Sequence, residues 1–408
     1  MKNKTVFFCV LYFSALTTGM GQMKIVPILG SICNDLNVSM THASMLMSIY
    51  YVSGVILALP GGSLLAKIGP KRLLLLLMAC VASGNCVGAF VHSFSYELLM
   101  ISRFVEGIAF GMIIMVGIVF LSEWFKDGNH GLFIASYTTF PATSSVIAMN
   151  TVIPVSAYLG ADSPWWIIFT FAIISIVLID TFIRDPEPPE QQPGIENNIN
   201  ETLNKPSIRE AFKNPGLWLL AICQCCGSIV CFAFITLYPD LFTRFYGADL
   251  TTANFLAGMS GLFSIFFCIL TGIIIDKTKH PNLIVLSSFI LMAVVCFFTT
   301  LLNTNTYIIH TALIALSSGL ILAGNFANVP LIAKSPSQIG YSAAVLNMLY
   351  FIGTVVAAPV TSNIIEQSGW KAASVFLIII SIIGITIAVF MSIGRRRRSG
   401  PSAQTFFL

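Results

Sequence analysis

Charge is what this sequence has least of. Only 9% of its 408 residues are Asp, Glu, Lys or Arg, 38 side chains in all, against roughly 100 in a soluble chain of this length. A soluble globule cannot cover its surface with so few. Disorder needs low hydrophobicity and high net charge, and the 56% hydrophobic content excludes it. Histidine is scarce as well, with His42, His92, His130, His280 and His310 scattered and mostly at the ends of apolar runs. There is no HExxH, no GxSxG and no Gly-Lys step, so zinc-protease, hydrolase and P-loop ATPase readings lack their residues. No enzymatic activity, metal or other cofactor is expected. Nucleic-acid binding would need a basic face on a soluble domain, and none is present. Of the ten cysteines nine lie in apolar runs and only Cys33 reads as exposed, which fits small buried apolar residues better than a disulfide framework. Cys223 and Cys226 have the CxxC spacing, but no second Cys/His pair follows.

What the chain has instead is long apolar runs, each near the roughly 20 residues that cross a bilayer as a helix. Reading runs and polar breaks gives twelve spans, at 5–32, 43–66, 73–92, 97–121, 131–156, 164–183, 215–242, 253–275, 282–302, 307–332, 342–364 and 371–393. The first is too long for a signal peptide and lacks a small-residue cleavage site. The expected fold is an all-α polytopic membrane protein of twelve transmembrane helices. One polar stretch, with PEPPEQQPG and NNINE, interrupts the pattern and reads as a linker; its end, Ser207–Phe212, suits a short amphipathic surface helix. The divisions are a six-helix half over 1–183, a cytoplasmic linker over 184–214, a second six-helix half over 215–394 and a tail over 395–408. Equal halves of six point to internal duplication, the common construction of secondary transporters.

With both termini in the cytoplasm, 17 of the 21 Lys and Arg fall on the cytoplasmic side, including Lys67, Lys71, Arg72, Lys277 and Arg395 to Arg398. Arg244 and Lys371 fall outside, and Lys24 and Arg103 lie within spans. Short cytoplasmic loops carry the Lys/Arg excess in membrane proteins, so this orientation follows. Spans three, six, nine and twelve are nearly featureless and suit a lipid-facing position. Most polar groups sit on spans one, four, five, seven, ten and eleven, and polar residues at membrane depth face a cavity or one another.

Loop and helix motifs add a resemblance. After span two the sequence reads GSLLAKIGPKR, in which Gly62, Lys67, Gly69 and Lys71, followed by Arg72, match the loop signature of the major facilitator superfamily, while Ala66 and Pro70 replace an Asp and a basic residue. The equivalent loop after span eight supplies Gly272, Asp276 and Lys277. Span four contains RFVEGIAFG, similar to that family's Arg-x-x-x-Gly pattern through Arg103, Glu106, Gly107 and Gly111. The chain thus resembles the major facilitator superfamily along its whole length. That resemblance implies two six-helix halves rocking about a central site, in a multi-pass protein of the plasma or inner membrane that works as a monomer. Within the superfamily GQMKIVPIL, LPGGSLLAKIGPKR and EWFKDGNHG look most like the bacterial branch of cyanate-permease-type and nitrate-porter-type carriers. The loop signature acts as a gate latch, a carboxylate at a helix end pairing with cations and helix dipoles, and Ala66 weakens it in the first half.

The candidate substrate or coupling residues are Lys24, Arg103, Glu106, Gln22, Asn347, Asn325 and His310. Arg103 and Glu106 are three apart and share a helix face, as clasp, proton relay or ligand site. Two intramembrane cations against one carboxylate leave an excess positive charge, and a buried cation costs about 2.5–3.5 kcal/mol at the bilayer centre. Lys24 therefore either snorkels to the interface or meets a partner, plausibly an anionic substrate. His310 lies about one turn inside span ten, as an interfacial histidine or a proton carrier. Asn325, Asn328 and Asn347 offer neutral hydrogen bonds. The expected function is secondary transport of a small organic or inorganic anion coupled to a proton or solute gradient. The alternative is a proton-coupled multidrug or metabolite efflux antiporter, against which span five counts because IASYTTFPATSSVIAMN lacks a Gly-Pro pair.

Overall fold

The computed structural model describes residues 4–57, 60–124, 133, 136–183, 213–278, 280–301, 306–332 and 336–398. They form an all-helical chain. α1 spans Lys4–Met23, α2 Met40–Leu57, α3 Pro70–Val91, α4 Tyr96–Trp124, α5 Phe140–Leu159 and α6 Ser163–Phe182. The second series is α7 Pro215–Asp240, α8 Leu250–Thr278, α9 Pro281–Phe298 and α10 Tyr307–Ile332. A helical run Pro336–Arg398 turns at Gly369, φ 76°, dividing into α11 (336–368) and α12 (370–398). Among the described residues, eleven segments are long and apolar enough to cross a membrane. The last of them, Ser342–Ser392, has 51 residues, about 75 Å at 1.5 Å per residue, enough for two crossings of a core about 30 Å thick. Among the described residues the crossings therefore number twelve. Most of the expected linker, with Ser207–Phe212, and the tail beyond 398 lie outside the described residues.

Proline and glycine punctuate the helices. Pro70, Pro215 and Pro281 stand at the first position of α3, α7 and α9, where the missing N–H costs nothing. Asn214 caps α7, its Oδ1 accepting from the Gly216 N–H at 3.0 Å. Gly160 (φ 102°) ends α5 and Gly369 ends α11, both in the left-handed region that glycine enters without a β-carbon penalty. The same corner thus recurs in each half. The first and seventh helices also both unwind at one end. After α1 a 3-10 turn Val26–Ile28 containing Pro27 leads into a short helix Leu29–Asp35. In α7 Pro239 precedes a π-helical turn Leu241–Phe245, as expected where a proline removes a ladder hydrogen bond.

Helices α1 to α6 pack chiefly on one another, and α7 to α12 do the same; α2 meets α11 and α5 meets α8 across the seam. Inner and outer follow the orientation that the Lys/Arg distribution predicts. All hydrogen bonds across the seam among the described residues run along α2 and α11 from the outer end towards mid-membrane. Thr41 donates its backbone N–H and hydroxyl to Glu366 at 3.0 and 2.7 Å. Ser44 meets Ser362 at 2.9 Å, and Ser48 donates to the Val355 carbonyl at 2.5 Å. Within the first bundle α2 and α4 touch backbone to backbone. A β-carbon at Gly107 would overlap the Tyr50 carbonyl, and one at Gly111 would sit 2.9 Å from the Gly54 α-carbon. α3, α6, α9 and α12 present large exposed apolar residues such as Phe90, Val177, Phe297 and Ile379.

One reading needs correcting. Cys33 is buried, whereas Cys9 on α1 is exposed. The polar context of Cys33 misled, because the short helix Leu29–Asp35 folds back on α2 and turns the thiol inward.

Candidate functional site

The site begins where α1 gives way to its 3-10 turn. Lys24 follows the last residue of α1, with its backbone N–H still bonded to the Met20 carbonyl at 2.9 Å. It neither snorkels nor opens to water, being 1% exposed. Its ammonium donates to Glu106 Oε1 and Oε2 at 2.9 and 2.8 Å and to Asn85 Oδ1 on α3, and it lies 5.4 Å from the Trp165 ring centre. All three ammonium donors are engaged.

Arg103 and Glu106, one turn apart on α4 and fully buried, join through Nη1 and Oε2 at 2.7 Å. The guanidinium also donates from Nη1 to the Gly21 carbonyl at 2.6 Å, from Nη2 to the Gln22 carbonyl at 3.1 Å and from Nε to the Leu46 carbonyl at 3.5 Å. It covers the Tyr50 ring at 4.3 Å. The α1 carbonyls face Arg103 because the helix is ending there, and its last carbonyls have no partners within the helix. Two cations and one carboxylate thus share a fully buried site with formal net charge +1, and every partner named for them belongs to the first bundle.

Gln22 connects this trio to the seam. Its backbone carbonyl accepts from Arg103, while its side-chain amide nitrogen donates to the Tyr51 hydroxyl. The Tyr51 ring packs 5.5 Å from Phe232 and 6.5 Å from Phe351, across the seam. Phe110 lies 5.7 Å from Tyr51 and 6.4 Å from Phe351, and Tyr350 packs 5.7 Å from Phe232. Rings from both bundles therefore meet at mid-membrane beside Gln22.

The remaining candidates stand apart. Asn325 donates to Gln224 Oε1 at 2.8 Å inside the second bundle, and its own Oδ1 is buried without a partner. Asn347 is half-buried on α11. His310 is 1% exposed, bonded to the Tyr238 hydroxyl through Nδ1 and the Thr299 hydroxyl through Nε2, both at 3.1 Å, with its ring tilted 4.7 Å from that of Tyr307. In the loop signature Lys71 pairs with Asp180 of α6 at 3.3 Å, and Lys67, Arg72 and Lys277 are exposed. Gly69 (φ 84°) makes the turn into α3. The surroundings of Gly62, Gly272 and Asp276 fall outside what the structure describes.

Sequence reasoning missed Asn85, because α3 reads as featureless. One signal was there: Gly84 and Gly88 are four apart, the small-residue spacing that brings membrane helices close. A β-carbon at Gly84 would lie 2.9 Å from the Ser102 carbonyl oxygen, so this glycine lets α3 carry Asn85 up to Lys24.

The family model described as Major Facilitator Superfamily matches residues 11–337. The chain belongs to that superfamily. It is 24% identical over 340 residues to the putative transporter AraJ of Escherichia coli, covering 79% of this chain and 81% of that one. To the bacillibactin exporter of Bacillus subtilis it is 22% identical over 366 residues, covering 87% and 89%. To the quinolone resistance protein NorA of Staphylococcus aureus it is 24% identical over 270 residues, covering 65% and 66%. Among solved structures, a bacterial homologue of the human lysosomal transporter Spinster, inward-facing and occupied, superposes with a TM-score of 0.73 at 12% identity, covering 97% of both chains. The superfamily member is a multi-pass membrane transporter, and not an enzyme.

Proposed function

We propose that this transporter exports amphipathic organic solutes in exchange for protons, holding the solute between the rings at the seam and carrying the coupling proton on the Lys24–Glu106 pair. The carrying observation is the arrangement around Gln22, with rings from both bundles on one side and a sealed titratable trio on the other. Aromatic faces suit planar or cationic organic groups. The Lys24 ammonium has no donor left for a substrate anion. The Arg103–Glu106 pair is neutral by itself, so one proton on or off Lys24 switches the trio between +1 and 0. A solute bearing positive charge at the seam favours the deprotonated state, which makes the exchange an antiport. The exporter and resistance functions printed for two of the relatives agree with this direction.

The anion reading, with its likeness to cyanate- and nitrate-type carriers, keeps one observation in its favour, the surplus cation of the trio. Proteoliposomes containing a pH-sensitive dye separate the two. An aromatic organic cation added on the inner side should drive protons the opposite way, and Lys24→Met should abolish that movement while leaving solute binding intact. Nitrate or carboxylate exchange that disappears in Lys24→Met, with no response to organic cations, would sustain the anion reading instead.

A further inference from the structure

The inner end of the second bundle encloses a cavity of about 240 Å³ that neither the trio nor the aromatic seam uses. Its walls come from the first turns of α7 and α9 and the last turns of α10 and α12, through Asn214, Asn282, Asn328, Leu331, Phe390 and Met391. Asn214 is fully occupied, accepting from Gly216 and donating to the Ile332 carbonyl at 2.9 Å, and so fixes the wall between α7 and α10. The other two amides are incomplete. Asn282 Oδ1 is buried without a partner. Asn328, 2% exposed, donates Nδ2 to the Gly324 carbonyl at 2.9 Å, and no hydrogen bond reaches its Oδ1 among the described residues. Leaving a buried acceptor unpaired costs about 1–3 kcal/mol, so the cavity asks for a ligand with hydrogen-bond donors.

One more feature narrows the ligand. Leu331 and Phe390 on the rim are 52% and 64% exposed, which in a bilayer means contact with acyl chains.

We propose that this cavity binds an ethanolamine phospholipid of the inner leaflet. The ammonium meets the amide oxygens of Asn282 and Asn328, and an acyl chain passes Leu331 and Phe390. Three ammonium N–H donors match the two free acceptors, a match that a choline headgroup, having no N–H, cannot make. The site lies apart from the transport pathway and stands whichever solute is carried.

The test is thermal unfolding of the purified, delipidated full chain, titrated with phosphatidylethanolamine, phosphatidylglycerol or phosphatidylcholine of identical acyl chains. Native mass spectrometry counts the lipid retained. Phosphatidylethanolamine should stabilise at a concentration at least tenfold below phosphatidylcholine, with phosphatidylglycerol clearly weaker. Asn282→Leu should erase the preference without lowering the lipid-free melting temperature, and Asn282→Asp, which keeps an acceptor, should preserve it. Equal effects of ethanolamine and choline lipids, equal effects of ethanolamine and glycerol lipids, or a preference undiminished in Asn282→Leu would each overturn the assignment.

Discussion

Glu106→Gln deletes the only negative charge that faces Lys24 and Arg103 among the described residues, while keeping the shape of the side chain. In the native trio one carboxylate receives Lys24 at 2.8 and 2.9 Å and Arg103 at 2.7 Å. Removing one member of a buried ion pair costs about 3–5 kcal/mol, because the survivor is left charged and unpaired. Arg103 is cushioned, retaining three carbonyls and the Tyr50 face. Lys24 keeps only Asn85 and the Trp165 ring, so the loss concentrates there. A cation alone at the bilayer centre costs about 2.5–3.5 kcal/mol, and the expected destabilisation is about 3 kcal/mol. Adding Lys24→Met removes that stranded charge, and the double variant should recover to within about 1 kcal/mol of the native protein. Lys24→Met alone leaves Glu106 paired with Arg103 and should cost about 1 kcal/mol, so the coupling energy in the cycle is about 3 kcal/mol, at the upper end of the range for residues in direct contact. Unfolding of the purified variants in mixed micelles measures all four corners. A Glu106→Gln protein as stable as the native one, or a double variant no better than the single, would refute the account of a mutually dependent trio.

Three further outcomes follow from the packing. Glu366→Ala deletes two solvent-exposed hydrogen bonds to Thr41 across the seam, together about 1 kcal/mol, so the outward-open population should rise about fivefold; an unchanged distance distribution between spin labels on the outer ends of α2 and α11 would contradict this. Gly84→Ala places a β-carbon 2.5 Å from Glu106 Cγ and should cost about 1–3 kcal/mol by overpacking, read as a lowered melting temperature, whereas Gly30→Ala, which meets nothing within 4 Å, should not. Asp249 accepts from the Thr252 side chain and from the Thr252 N–H, the latter at 2.9 Å, and these hydrogen bonds hold its carboxyl below the usual carboxylate range. With a folded-state pKa below the unfolded one, the cap is present at neutral pH and is lost as pH falls through the lowered value; the amide-exchange protection factors at the start of α8, taken against the intrinsic rate at each pH, should fall in acid and, at neutral pH, in Asp249→Ala but much less in Asp249→Asn.

Apolar run length alone made the crossings legible, since a stretch near 20 residues has one cheap place to be in a bilayer. Lys24, Arg103 and Glu106 were equally visible, because charge inside such runs is costly and therefore rare. Their mutual contact was not. Lys24 and Glu106 are 82 positions apart and meet only through α1 ending at Met23 and α3 closing in at Gly84. Asn85 was hidden by the apolar residues around it, and Cys33 was misread because its neighbours are polar. His310 was assigned by depth along its helix, but its surroundings come from α7 and from Thr299 beyond the end of α9, which no local pattern encodes.

The backbone contact of α2 with α4 at Gly107 and Gly111 has a mechanical meaning. Where the backbones touch at these two glycines there is no slack for sliding, so the wall that bears Tyr50 and Tyr51 must travel with the helix that bears Arg103 and Glu106. The charged trio then rides unbroken through the transport cycle as part of one rigid lever. What varies between the two ends of the stroke is the set of rings across the seam from Tyr51, and Gln22, gripping both the lever and that tyrosine, is the linkage through which a change of partner reaches the trio.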